Sequence, residues 1–389
     1  MTARTFPPDF LWGAATASYQ VEGGIDTCDW SEAAREGRVP LCGTACDHYH
    51  RFREDFDLAK ELGHTTHRLS VEWARIEPEE GKYSAEAIEH YREVLRALRE
   101  RGMEPSVTLL HFTLPLWLSK SGGWEHHDAP KVFARFCAHV VRELGDLCNH
   151  YATLNEPMVV AGQGYIRGKW PPFYRHAYVR YFRALRGMIR GHNSAYRAIK
   201  AVRPEAQVGI VKHTIAYTAE RGVLNHLRAW LANLGWTHLF MARVYRQCDW
   251  IGCNYYNRRV FGDTRTLGKT DMGWNIDPEG IYDALRELSR YGKPLYVSEA
   301  GCADRADRFR ADYIRNTVHA LARAIEDGID LRGYCYWSLL DNYEWAEGFD
   351  KRFGLVEVDY DTQERTIRPS AYVYRDLIHA ARQASGDLA

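Results

Sequence analysis

Tyr151-Ala152-Thr153-Leu154-Asn155-Glu156-Pro157 is a short apolar run that stops at a carboxylate and is then closed by a proline. Its length and its β-branched and aromatic content read as a strand, and Pro157, which has no N–H to give a neighbouring strand, ends the pairing. Working outward, seven further runs share that character, at residues 10–18, 67–73, 106–111, 208–212, 250–256, 295–299 and 333–340. The segments between them have a different period. In residues 85–101, Ile88, Tyr91, Val94, Leu95 and Leu98 recur at three- and four-residue steps while charges fill the other face, which is helix spacing. Comparable segments lie at 50–62, 130–149, 176–202, 223–242, 278–290, 307–327 and 369–384. Eight strands alternating with eight helices predict an α/β fold, a closed (β/α)8 TIM barrel.

No Pro/Gly/Ser-rich linker and no shift of composition divides the chain of 389 residues, so one domain over 1–389 is expected. Stretches without clear periodicity, at 19–49, 112–128, 163–175, 257–277 and 341–368, mostly follow strands and therefore fall on the catalytic face of such a barrel. The 51 basic and 51 acidic side chains cancel. A net charge of zero supplies no field for nucleic acid or for a membrane surface, and favours a neutral small-molecule ligand; a homo-oligomer is left open. Nine cysteines are an odd number, several inside helix or strand patterns, which reads as reduced, buried thiols. Cys42, Cys46 and His48 have no second ligand pair at finger-like spacing, so neither a metal nor another cofactor is expected. Residues 1–8 lack the apolar stretch of a signal peptide and no segment reaches the roughly 20 apolar residues that span a bilayer, so the reading is a cytoplasmic protein.

In a barrel, the C-terminal ends of different strands converge on one mouth, and two of the runs end in glutamate: Asn155-Glu156-Pro157 and Val297-Ser298-Glu299-Ala300-Gly301. A carboxylic acid facing a carboxylate can cut a glycosidic bond, one donating a proton to the leaving oxygen and the other acting as nucleophile or base. Arg68, inside the strand at 67–73, is placed to keep Glu299 ionised, whereas Glu156, without so close a cation, keeps its proton. A carboxyl separation of about 5–5.5 Å would make the reaction retaining, and one of about 6.5–9.5 Å inverting.

With these two segments in hand, the whole chain resembles glycoside hydrolase family 1, the β-glucosidase and β-galactosidase family. Phe10-Leu11-Trp12-Gly13-Ala14-Ala15-Thr16-Ala17-Ser18-Tyr19-Gln20-Val21-Glu22-Gly23 is similar to its N-terminal signature, and the two glutamate segments are similar to its acid/base and nucleophile motifs. Trp337 through Trp345, followed by Arg352-Phe353-Gly354, is similar to its sugar-binding loop. The resemblance implies a retaining exo-β-glycosidase acting on terminal β-D-glucosides, with some activity on β-galactosides or β-fucosides, through Glu156 as acid/base and Glu299 as nucleophile. It further implies that Gln20, His111, Asn155, Glu344 and Trp345 hold sugar hydroxyls over a floor made by Trp337, with Phe112 and Phe353 also against the substrate. Arg68, Tyr256 and Asn254 would support the nucleophile. Trp30, Trp124, Trp170 and Phe173 are candidates for the aglycone walls. Phe112 stands where the family usually has tryptophan and Ala300 where it commonly has asparagine, and the chain is short for the family between His213 and Asp249. A 6-phospho-β-glycosidase and a transglycosidase are alternative readings, the first disfavoured because Glu344 would repel a phosphate. A sugar-binding protein without turnover is disfavoured by the presence of both glutamates.

Overall fold

The computed structural model describes residues 6–262 and 267–386. Eight parallel strands close on themselves in chain order: β1 Leu11–Ala15, β2 Thr66–Ser70, β3 Glu104–Leu110, β4 His150–Asn155, β5 Gln207–Ala219, β6 Trp250–Phe261, β7 Leu295–Ala300 and β8 Leu331–Trp337, with β8 pairing back onto β1. The expected (β/α)8 barrel is present, and all eight strand readings fall on strands. Its outer layer contains α1 His48–Glu61, α2 Ala85–Glu100, α3 Ala129–Leu144, α4 Tyr178–Val202, α5 Val223–Asn233, α6 Gly280–Ser289, α7 Arg310–Glu326 and α8 Pro369–Ala384.

Two corrections concern the catalytic face. β5 and β6 do not stop at residues 212 and 256 but run on, still paired, to Ala219 opposite Phe261, so the stretch at 257–277 begins as strand; its residues 263–266 lie outside the described ones. From His213 to Ala216 burial alternates residue by residue, the mark of a ribbon covered on one side only, and the last three residues are half-buried. The other loops carry short elements too: helices Asp29–Arg35 and Leu116–Lys120, and a hairpin joining Val356–Val358 to Arg365–Ile367.

Buried ion pairs fix the loops that carry the site. Asp341 is fully buried just after β8 and accepts from the Gly354 amide at 2.8 Å, from both Arg368 terminal nitrogens at 3.0 and 2.9 Å, and from Arg352 at 3.1 Å. One carboxylate thus ties the returning loop to the start of α8, and removing it would leave the buried Arg368 and the half-buried Arg352 without their shared counter-charge. All nine cysteines are free and buried, as expected. Cys42 donates to the Tyr19 carbonyl, Cys46 to the Asp341 carbonyl, and His48 pairs with Asp55, so these three do not converge on a common point.

Trp124 lies under α4. Its ring meets Phe133 edge-on at 5.4 Å, and a Cβ added at Gly187 would come within 2.0 Å of the Trp124 carbonyl oxygen. Only glycine permits that approach of helix to loop. Trp124→Ala is expected to lower the free energy of unfolding by about 3–5 kcal/mol, and Gly187→Ala by about 1–3 kcal/mol, read from urea unfolding midpoints. A Trp124 variant as stable as the parent would contradict this packing.

Candidate active site

Glu156 terminates β4 with φ at 45°, in the left-handed region, and Pro157 opens the short helix Pro157–Ala161 directly after it. A non-glycine residue held there is strained, and the chain turns at this point from the strand into the helix, with Glu156 lining the barrel mouth. Glu299 lies one residue from the end of β7, and Arg68 lies within β2. All three are buried, with exposures of 6%, 4% and 2%.

Arg68 organises one side of the cavity. It forms a very short contact to Glu299 Oε1, while its Nε donates to Thr108 Oγ1 at 3.1 Å and its Nη2 to Asn155 Oδ1 at 2.9 Å. Tyr256 donates its hydroxyl to Glu299 Oε2 at 2.6 Å. Both oxygens of Glu299 therefore accept charge-assisted or phenolic hydrogen bonds. Because Arg68 takes the Asn155 oxygen, the Asn155 amide faces His111 Nε2 at 3.2 Å. Burial and the nearby Arg68 push the His111 imidazole well below its usual range, so it is neutral and carries its proton on Nδ1.

Glu156 sits in a different environment. Burial raises its carboxyl above the usual range, the charge of Glu299 adds to this, and Asn254, Lys212 and Arg68 oppose it. Asn254 corrects an expectation. Its amide donates to Glu156 Oε1 at 2.8 Å and its oxygen accepts from Ser298 Oγ at 2.8 Å, so it supports Glu156 and not Glu299. Asn254 and Glu299 are register partners on adjacent strands, but their side chains take different partners.

The two glutamates open into a cavity of roughly 550 Å³ whose walls include Gln20, His111, Phe112, Trp170, Trp337, Glu344, Trp345 and Phe353. Five buried polar atoms of the residues lining it have no partner among the described residues: Gln20 Oε1, His111 Nδ1, Gln163 Oε1, His213 Nδ1 and Glu344 Oε2. Gln20 is rigid because its amide nitrogen donates to Asn342 at 3.0 Å and to the Tyr343 carbonyl at 2.8 Å, leaving the oxygen over the cavity. An amide acceptor on Gln20, an imidazole donor on His111 and a carboxyl group on Glu344 around an aromatic floor match a polyhydroxylated ring, since each buried group left unpaired is costly until a ligand satisfies it. Burial, and after it the charges of Glu299 and Glu347, raise Glu344 to about 8. The His111 ring lies nearly parallel to Trp337 and Trp345, 6.0 Å from each.

Of the aglycone candidates, Trp170 reaches the cavity wall. Trp124, Phe173 and Trp30 do not. Trp124 is core, Phe173 is covered by the Arg38 guanidinium at 3.7 Å, and Trp30 is buried behind Trp345 at 4.7 Å. An aromatic side chain satisfies its apolar area equally well on either side of a wall, so residue type did not separate them. Sequence reasoning missed Lys212, His213, Trp236 and Trp274. His213, Trp236 and Trp274 line the cavity, while Lys212 is wholly buried beside Glu156, with its ammonium 4.7 Å from the Trp236 ring centre and bonded to the His213 carbonyl. Desolvation lowers Lys212 to about 7, and Glu156 opposes that fall.

Comparison with known proteins places this arrangement. The chain is 33% identical to a 1,4-beta-D-glucan glucohydrolase of Thermotoga neapolitana, covering 96% of this chain and 98% of the relative. That alignment spans 437 positions, more than the 389 residues here, so the relative carries segments this chain lacks. A beta-galactosidase of Sulfolobus acidocaldarius is also 33% identical, over 96% of this chain and 95% of its own. The structure of a beta-glucosidase from Thermotoga maritima in complex with deoxynojirimycin superposes with a TM-score of 0.90 at 32% identity, covering 97% of this chain and 99% of that one. The family model for glycosyl hydrolase family 1 matches residues 2–255 and 251–383, and the chain belongs to that family.

Proposed function

We propose that the protein is a retaining exo-β-glycosidase that hydrolyses terminal β-D-glucosides, with Glu156 as acid/base and Glu299 as nucleophile. The observation that carries this is the division of labour between two buried carboxyls in one cavity. Glu299 has both oxygens accepting from Arg68 and Tyr256, whereas Glu156 is raised by burial and by Glu299. In the first step a Glu299 oxygen forms a bond to the anomeric carbon while the glycosidic C–O bond breaks and Glu156 transfers its proton to the departing oxygen. In the second, Glu156, now a carboxylate, takes a proton from water as that water displaces Glu299, which returns the free acid and carboxylate.

The substrate class follows from the walls. Gln20, His111 and Glu344 offer their unpartnered atoms to hydroxyls, and Trp337 offers an indole face to the C–H face of the ring. Glu344, raised by burial, offers a 6-phosphorylated sugar no cation to pair with, and a phosphate beside it would oppose its ionisation further. Arg352 does not offset this, because it is engaged by Asp341 and by the Val358 carbonyl. The glucan glucohydrolase and beta-galactosidase names of the relatives support a neutral gluco- or galacto-configured substrate.

Release of nitrophenol from aryl β-glycosides tests the reading. Turnover of the glucoside is expected, and Glu156→Gln should lower kcat about 10²–10⁴-fold on substrates with poor leaving groups. With an activated substrate and azide, Glu299→Gly should give the α-glycosyl azide and Glu156→Gly the β-azide; the opposite pairing would exchange the two roles.

The pH profile is a separate test. Rising pH removes the Glu156 proton, so kcat/KM should fall on the alkaline side. Lys212 lowers the Glu156 pKa by its charge. Its replacement in Lys212→Met should therefore move the alkaline limb to higher pH; a limb that stays in place or moves down would show that the two groups do not interact.

A further inference from the structure

The zero net charge conceals a strong segregation. Residues 157–248 carry fifteen Lys and Arg against two acidic residues, Glu205 and Glu220, so the remainder of the chain is acidic by the same margin. This segment builds α4 and α5, which flank β5 in the chain. Arg183, Arg186 and Arg190 on α4 and Arg221 and Arg228 at α5 are exposed, and none has a carboxylate partner among the described residues.

Helix α5 itself turns apolar residues outward. Val223 is 87% exposed, Leu224 59%, Leu227 48%, Trp230 59% and Leu231 50%, and Ala229 is the buried residue of this helix. Such exposure of five large apolar side chains on eleven residues is not the scatter of single hydrophobics normal to a protein surface. The helix packs on the extensions of β5 and β6, and Trp236, just after it, lines the cavity, so this face lies close to the mouth.

We propose that α5 is an interfacial docking helix for an anionic phospholipid bilayer. An apolar face bearing a tryptophan, with Arg221 and Arg228 at the same helix and no carboxylate partner for either among the described residues, matches the two components of such binding: burial of side chains at the acyl boundary and attraction to negatively charged headgroups. The charge selects this occupant over a second copy of the chain, because an isologous contact through α5 would bring two arginine-rich surfaces together. No helix among the described residues is long and apolar enough to cross a membrane, so the attachment is peripheral.

Co-sedimentation with phosphatidylcholine vesicles, with and without phosphatidylglycerol, tests this on the full chain. The parent is expected to pellet with phosphatidylglycerol vesicles at low salt and to be released at high salt. Partitioning should fall about tenfold or more in Leu227→Asp with Trp230→Ser, and likewise in Arg221→Glu with Arg228→Glu. Hydrolysis of a soluble aryl glycoside, read in parallel, should not change in either variant. That separates failure of docking from failure of the catalytic assignment. Absence of binding, or equal binding to neutral vesicles, would overturn the proposal. So would a parent that is dimeric by light scattering and becomes monomeric in Leu227→Asp with Trp230→Ser, since the face would then belong to a second copy.

Discussion

The contact between Arg68 and Glu299 is the constraint on which the site depends. A guanidinium only 2% exposed must satisfy its donors inside the barrel, and it does so on Glu299, on Thr108 and on Asn155. Each bond fixes something further. The one to Asn155 turns that amide toward His111 and so sets the imidazole proton on Nδ1, which has no partner among the described residues. A buried charge pair adds little to stability by comparison with apolar packing, but breaking one partner leaves the other uncompensated. The geometry is therefore held by what its loss would cost.

Three carboxyl groups, Glu156, Glu299 and Glu344, share one enclosed space, and their environments pull them apart. Glu299 takes the arginine and a phenol; Glu156 and Glu344 are left with amide or indole donors and are raised by burial. Bringing three like charges into a low-dielectric cavity is unfavourable, and protonation of the two less well-supported groups is the least costly relief. The same electrostatics that makes the empty cavity tolerable supplies the proton for a leaving group. Lys212 moderates this from behind Glu156, buried and held by one carbonyl and an indole face.

The barrel was legible because parallel strands covered on both faces appear as unbroken apolar runs, and residues 208–212 or 295–299 have no other simple reading. The β5–β6 extension was not, since beyond Lys212 and Tyr256 the ribbon is covered on one side and its polar residues resemble a loop. The two glutamates and Arg68 stood out as charges inside apolar strands, which are costly unless partnered. Lys212 carries the same signal in Val208-Gly209-Ile210-Val211-Lys212 and was overlooked. The resemblance assigned Asn254 to Glu299, and although the register does set the two side by side, the Asn254 amide turns to Glu156. Composition concealed the segregated arginines of α4 and α5, since a sum over the chain has no spatial content.

The most direct test of the account is covalent trapping. Treatment with an activated 2-deoxy-2-fluoro-β-D-glucoside slows formation and breakdown of a glycosyl-enzyme by destabilising both transition states, and a good leaving group lets the intermediate accumulate. Peptide mapping by mass spectrometry should then find one fluoroglucosyl group, on Glu299. A label on Glu156, or turnover of aryl glucosides with inversion and no label, would contradict the assignment of Glu299 as nucleophile.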